Sequence, residues 1–150
     1  MKKITQLAII PILVADQDEA LHFYTEKLEL EKRADIMLGP GLRWLTVAPR
    51  GQKKPEIALA KPDASLPGIQ IQSSRGHNNQ AVACVFATDD CSKMYHTLLG
   101  RGVTFLCPPT RNVYGTEAIF EDPYGNVFSL LEPSPEAHFT YRNRGIGTAA

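Results

Sequence analysis

The 150-residue chain repeats its own layout, and that duplication limits the folds open to it more than any single motif does. Asp16-Gln17-Asp18-Glu19 reads as a helix start: an Asp at the cap accepts a bond from an orphan backbone N–H, and Glu19 stands where a capping box closes. Ala20, Phe23, Tyr24, Lys27 and Leu28 follow at helical spacing. The second half does the same. After the apolar run Ala81–Ala87 comes Thr88-Asp89-Asp90, then Cys91, Met94, Tyr95 and Leu98, with Gly100 and Gly102 as the stop. Asp16 matches Asp89 at an offset of 73, Val47–Gly51 matches Glu121–Gly125 at 74, and Ile57–Pro62 matches Phe128–Pro133 at 71. Offsets that shift only across loops mark an internal repeat.

Each copy reads as strand, helix, then three strands. In the first, strands are expected near 3–14, 30–37, 42–49 and 55–61, with the helix from 16 to about 28. In the second they are expected near 81–88, 103–107, 115–122 and 126–132. Gly39-Pro40-Gly41 and Tyr124-Gly125-Asn126 supply hairpin turns, and Pro11 marks its strand as an edge or a bulge. Residues 63–80, rich in Ser, Gly, Pro, Asn and Gln, read as the connection between modules, and 134–150 as a tail that drapes over the surface or swaps to a partner. A chain of this length buries roughly 70% of its unfolded surface, enough for one sizeable core. The expectation is one α+β domain of two βαβββ modules, about 3–62 and 81–133.

Composition removes several functions. Lys and Arg number 16 against 16 Asp and Glu, a formal net charge of zero with a pI near 6.9. Nucleic-acid proteins carry a basic excess or stripe, and polybasic membrane binders a cluster, so neither partner is expected. Lys2 and Lys3 ahead of the apolar run Leu7–Ala15 imitate a signal peptide. The run contains Pro11, lacks an A-x-A exit and ends in a helix start, so it reads as a buried strand of a cytoplasmic protein. Cys84, Cys91 and Cys107 form no C-x-x-C pair and read as reduced thiols, with Cys107 at a strand end.

A doubled βαβββ unit with these landmarks resembles the glyoxalase/bleomycin-resistance/extradiol-dioxygenase family, the vicinal oxygen chelate superfamily. The resemblance is carried by Val14-Ala15-Asp16, Phe23–Leu28, Arg43–Pro49, Arg101-Gly102-Val103 and Asp122-Pro123-Tyr124-Gly125-Asn126. It implies paired curved mixed sheets around a cup-shaped cavity, helices outside, and frequent homodimers. It does not imply one reaction, since the superfamily hosts isomerases, dioxygenases, thiol transferases and metal-free drug-binding proteins. Taken singly, the motifs speak of fold. Phe23 and Tyr24 suit a core, Asp16 and Asp89 suit caps, and the Asp122–Asn126 segment suits a turn.

In metal-dependent members of that family, the first and last strand of each unit supplies a ligand. Carried onto this sequence, those positions are Ile9, seven residues before the capping Asp, then Ala58, Ala83 and Ser129. The first three carry no donor atom and serine is a poor ligand, so neither a metal nor another cofactor is expected. Of nearby donors, Gln6 and Glu132 fall three positions away and face the wrong side. Only Glu56, two positions from Ala58, shares its face; it is the one candidate catalytic base. His22 and His96 sit on helices, His77 in the connection and His138 in the tail. What remains is a mainly apolar cup, with Glu56, Ser129, Arg43, Trp44, Tyr114 and Glu117 as polar groups able to orient a guest. Arg43 and Trp44 each also suit a structural role. The favoured function is metal-independent binding of an apolar or aromatic small molecule. An isomerase-, lyase- or dioxygenase-related enzyme with an atypical site, and a diverged dimeric scaffold, are the alternatives.

Overall fold

A computed structural model describes residues 2–62 and 81–135. The connection at 63–80 and nearly all of the expected tail, His77 and His138 with them, lie outside the described residues. The chain divides into two compact units, the second of which cedes its turn Pro123–Asn126 to the first.

In the first unit β1 (Ile9–Leu13) leads to α1 (Gln17–His22), which runs on as a π-helical turn over Phe23–Lys27. Then come β2 (Glu31–Gly39), β3 (Leu42–Ala48) and β4 (Glu56–Ala60). The second unit holds β5 (Cys84–Ala87), α2 (Cys91–Gly100), β6 (Thr104–Asn112), β7 (Gly115–Glu121) and β8 (Val127–Pro133). The sheet orders are β1-β4-β3-β2 and β5-β8-β7-β6, each with one parallel and two antiparallel pairings. Identical topology in both halves establishes the α+β fold of two βαβββ modules. Pro11 sits on β1, an edge strand.

Register assigns each residue a face, because successive side chains alternate across a strand. In the first sheet Leu45, Val47, Ile57, Leu59 and Ile12 share one face and are all buried; Arg43, on that face, bonds Asp18 of α1 and so marks it as the helix side. In the second, Phe86, Phe120 and Phe128 stack on one another, and Phe105 bridges them to Tyr95 of α2. The other face of each sheet carries no helix among the described residues.

Five expectations need correction. The first strand begins at Ile9 rather than residue 3, since β4, its one ladder partner, spans only Glu56–Ala60; Leu7 is exposed. The second expected strand of the second module ended at Cys107, before Pro108-Pro109. In fact β6 continues to Asn112, and the two prolines fall in a register shift between Cys107 and Thr110 where no ladder N–H is required. Cys107 is therefore exposed in mid-strand, not at a strand end. The second helix is capped by Asp90, whose carboxylate accepts from Lys93 N at 3.0 Å, not by Asp89. Asp16 caps α1 as expected, but Glu19 does not close the box: its carboxylate accepts from the Tyr124 hydroxyl.

Candidate functional site

With Asp90 as the cap, the repeat tightens. Seven residues before it lies Ala83, as Ile9 lies seven before Asp16. Pro11 pairs with Ala58 and Val85 with Ser129, so Ala58 and Ser129 hold equivalent places in the two sheets. Across from them stand Thr46 and Ile119, and two residues earlier on the same strands Trp44 and Glu117. The helix-free faces can thus be compared residue by residue.

In the first sheet this face carries Ile9, Pro11, Ile36, Trp44, Thr46, Glu56, Ala58 and Ala60 by register. Ala58 is 3% exposed and Thr46 fully buried. The Thr46 hydroxyl is the one described buried side-chain group with no hydrogen-bond partner. Glu56 does share the face of Ala58, but its carboxylate lies 3.4 Å from the Lys54 ammonium. Arg43 departs from the rest. Adjacent to Trp44, it necessarily points to the other face, where Nε and Nη2 grip both oxygens of Asp35 at 2.8 and 2.9 Å and Nη1 reaches Asp18 at 2.7 Å. Gln17 Nε2, from the first turn of α1, donates to the carbonyls of Leu59 and Arg43. The bond from Arg43 holds the Asp35 carboxyl below the usual carboxylate range, aided by the positive charge of the same guanidinium. Arg43 is a fastener between α1 and the sheet.

The second sheet gathers three of the sequence candidates into one cluster. Glu117, half-buried in β7, accepts from the Tyr114 hydroxyl at 2.7 Å on Oε1 and from the Ser129 hydroxyl at 2.5 Å on Oε2. Asn112 Nδ2 stands 3.5 Å from Oε1. Ser129 is 1% exposed, so its bond to a carboxylate is made away from water, where leaving either group unpaired is costly. The bond to Glu117 and that carboxylate's charge hold the Tyr114 phenol above its ordinary range, which keeps it a neutral donor. Asn112 was missed in the sequence. Its Oδ1 accepts from the backbone N–H of Tyr114 and Gly115, an Asx turn that carries the chain from β6 into β7. Gly115, at φ 148°, closes that turn against the sheet: an added Cβ would overlap the Glu132 carbonyl oxygen. Asn followed two residues later by Tyr-Gly was the signal available.

The remaining candidates are scattered. Ala83 is exposed one residue ahead of β5, its N–H bonded to Val127 O. His22 and His96 lie on α1 and α2, both exposed. Burial pushes the Cys84 thiol up to about 11 and raises that of Cys91, the latter with help from the Glu132 charge, so both thiols stay protonated at neutral pH.

The family model of the Glyoxalase/Bleomycin resistance protein/Dioxygenase superfamily matches residues 3–130. The chain belongs to this superfamily. Among relatives, it is 34% identical to the uncharacterized protein YurT of Bacillus subtilis (strain 168) over 128 residues, 85% of this chain and 98% of that one. The solved structure of UcmS2 is 35% identical, covers 87% of this chain and 99% of its own, and superposes with a TM-score of 0.74. TnmS3, an antibiotic binding protein from Streptomyces sp. CB03234, is 29% identical, with 89% and 100% covered and a TM-score of 0.71.

Within this superfamily fold, the four positions that hold metal ligands in other members do not fit a metal here. The side chains of Ile9, Ala58 and Ala83 carry no donor atom, and a neutral serine hydroxyl is a poor metal ligand. Among the described residues no three His, Cys, Asp or Glu side chains cluster as metal ligands. None of the described helices is long and apolar enough to cross a membrane.

Proposed function

We propose that the protein binds an apolar or aromatic small molecule on the helix-free faces of its sheets, without a metal, and sequesters it rather than transforming it. The observation that carries this reading is that Ile9, Ala58 and Ala83 bring no side-chain donor and Ser129 only a hydroxyl, on faces that present apolar side chains and a few aimed polar groups. Apolar surface supplies affinity and the polar groups supply orientation, the usual division of labour in a small-molecule site. In the second sheet Val85, Ile119 and Leu131 serve the first role and Tyr114, Glu117 and Ser129 the second; in the first sheet Trp44, Ile9 and Ala58 present an apolar face of their own. Similarity to TnmS3, an antibiotic binding protein, supports the same reading. Glu56, next to Lys54, acts as lining rather than as a base.

We further propose that two copies associate in the cytoplasm. Ile36, Met37, Leu38, Leu106 and Val113 are all exposed, more apolar surface than isolated strand ends require. Light scattering on a sizing column checks this; a monomer at all concentrations contradicts it.

The binding proposal is tested on protein dialysed against EDTA. Trp44 is the single tryptophan and reports on the first sheet. Polycyclic aromatic compounds are expected to quench its fluorescence, and one present at about 100 times its Kd should add about 2.7 kcal/mol of apparent stability. Binding that appears only after addition of Ni²⁺, Zn²⁺ or Mn²⁺ contradicts metal independence. Turnover of the bound compound contradicts sequestration.

A further inference from the structure

We propose that the guest is a cation: Glu117 selects aromatic compounds that carry a protonated amine. The inference rests on the small-molecule reading above and names the class of compound. Glu117 makes three bonds, all from neutral donors, Tyr114, Ser129 and Asn112. No lysine or arginine pairs with it among the described residues, unlike Asp35, Glu31 and Glu56, each of which has one.

Among the described residues of β5–β8, the absence of a counter-charge extends over this face. In β5–β8 the one basic residue is Arg111, and it pairs with Thr116, one register step from Glu117, so it points to the opposite side. Thr110, directly across from Glu117, shares its face, as do Ile119, Leu131 and Val85. The only other charge that alternation adds is Glu121, also acidic. A carboxylate has about four acceptor sites, of which the three donors use three. What is left is one acceptor site on a fixed, uncompensated negative charge beside apolar side chains. A neutral N–H or O–H would satisfy the site, but only an ammonium also cancels the charge, and charge-assisted bonds are about twice as strong. A carboxylate or phosphate on the guest would be repelled.

Calorimetric titration of the EDTA-dialysed full-length protein tests this with matched probes. These are 1-pyrenylmethylamine, 1-pyrenemethanol, 1-pyrenecarboxylic acid and N-acetyl-1-pyrenylmethylamine, with the naphthyl and anthracenyl counterparts. The amine is expected to bind about tenfold more tightly than the alcohol, and the acid most weakly. Glu117→Gln should erase the preference, so that the amine and the alcohol bind with equal affinity. If that variant does not fold, the acetylated amine on wild-type protein decides: it should bind like the alcohol. Equal affinity of wild type for amine and alcohol, undiminished binding after acetylation, or a preference that survives in Glu117→Gln overturns cation selection while the binding reading stands. Failure of every probe to bind overturns both.

Discussion

The two modules share a topology and a register, yet their helix-free faces differ in kind. At equivalent places the first has Trp44, Thr46 and Ala58, the second Glu117, Ile119 and Ser129. The first module neutralises its charges. Arg43 is spent on Asp35 and Asp18, and Glu56 lies by Lys54. The second surrounds the Glu117 carboxylate with neutral donors, and no basic side chain pairs with it among the described residues. Duplication supplied two copies of one scaffold, and the copies have diverged: one face presents an indole and small apolar side chains, the other a hydrogen-bonded carboxylate. Alternation in strands makes such divergence inexpensive, because a face can change while the helix-side core stays intact.

The comparison breaks hardest at the hairpin that carries the second cluster. Gly115→Ala forces a Cβ onto the Glu132 carbonyl at a backbone angle that disfavours side chains. It should cost about 3 kcal/mol or more by urea denaturation. Gly41, in the corresponding hairpin of the first module, has nothing within 4 Å, so Gly41→Ala should cost only about 1 kcal/mol for its positive φ of 73°. Equal losses would mean that the second hairpin is no more tightly seated than the first.

Exchanging the equivalent residues comes next. Ser129→Ala removes a buried donor from Glu117 and should cost about 1.5–3 kcal/mol. Ala58→Ser places a hydroxyl at a buried apolar position and should also destabilise, by about 1–2 kcal/mol. A neutral result for both, in chemical denaturation, would show that the two faces are interchangeable.

Most of the fold was legible in the sequence because it rests on duplicated, periodic features: caps, helical stripes and turn glycines. What escaped was set by pairing. Pro108-Pro109 looked like a strand end because a bulge that shelters two prolines is visible only with the partner strand in place. Asp89 and Asp90 are chemically alike, and only the helix phase chooses between them. The polar residues Tyr114, Glu117 and Ser129 were named, but their convergence was not readable, since β7 and β8 meet Asn112 through register rather than spacing. Arg43 was the avoidable case: as neighbours in one strand, Arg43 and Trp44 must point to opposite faces.

A smaller effect sharpens the charge contrast. Arg43 lowers the folded pKa of Asp35 below its unfolded value of about 3.9. The pair's contribution is therefore complete above that value and lost as pH falls through the folded pKa. Both groups are partly exposed, so the contribution is about 1 kcal/mol. Arg43→Met should lower the melting temperature at pH 7 and flatten its decline between about pH 4 and 2. An unchanged acid limb would remove Asp35 from the account. The smallest effect belongs to Thr46→Val. Deleting an unpartnered buried hydroxyl should raise stability by up to about 1 kcal/mol. A clear loss would show that the hydroxyl has a partner in the folded protein.

Binding on the helix-free faces is tested most directly by two-dimensional NMR of the EDTA-dialysed protein titrated with 1-pyrenylmethylamine. The account predicts that shifts fall on residues of the helix-free faces, Tyr114, Glu117 and Ser129 first, with the helix-side residues Leu45, Val47, Phe120 and Phe128 unmoved. Shifts centred on the helix sides, or appearing only once a divalent metal is supplied, would contradict it.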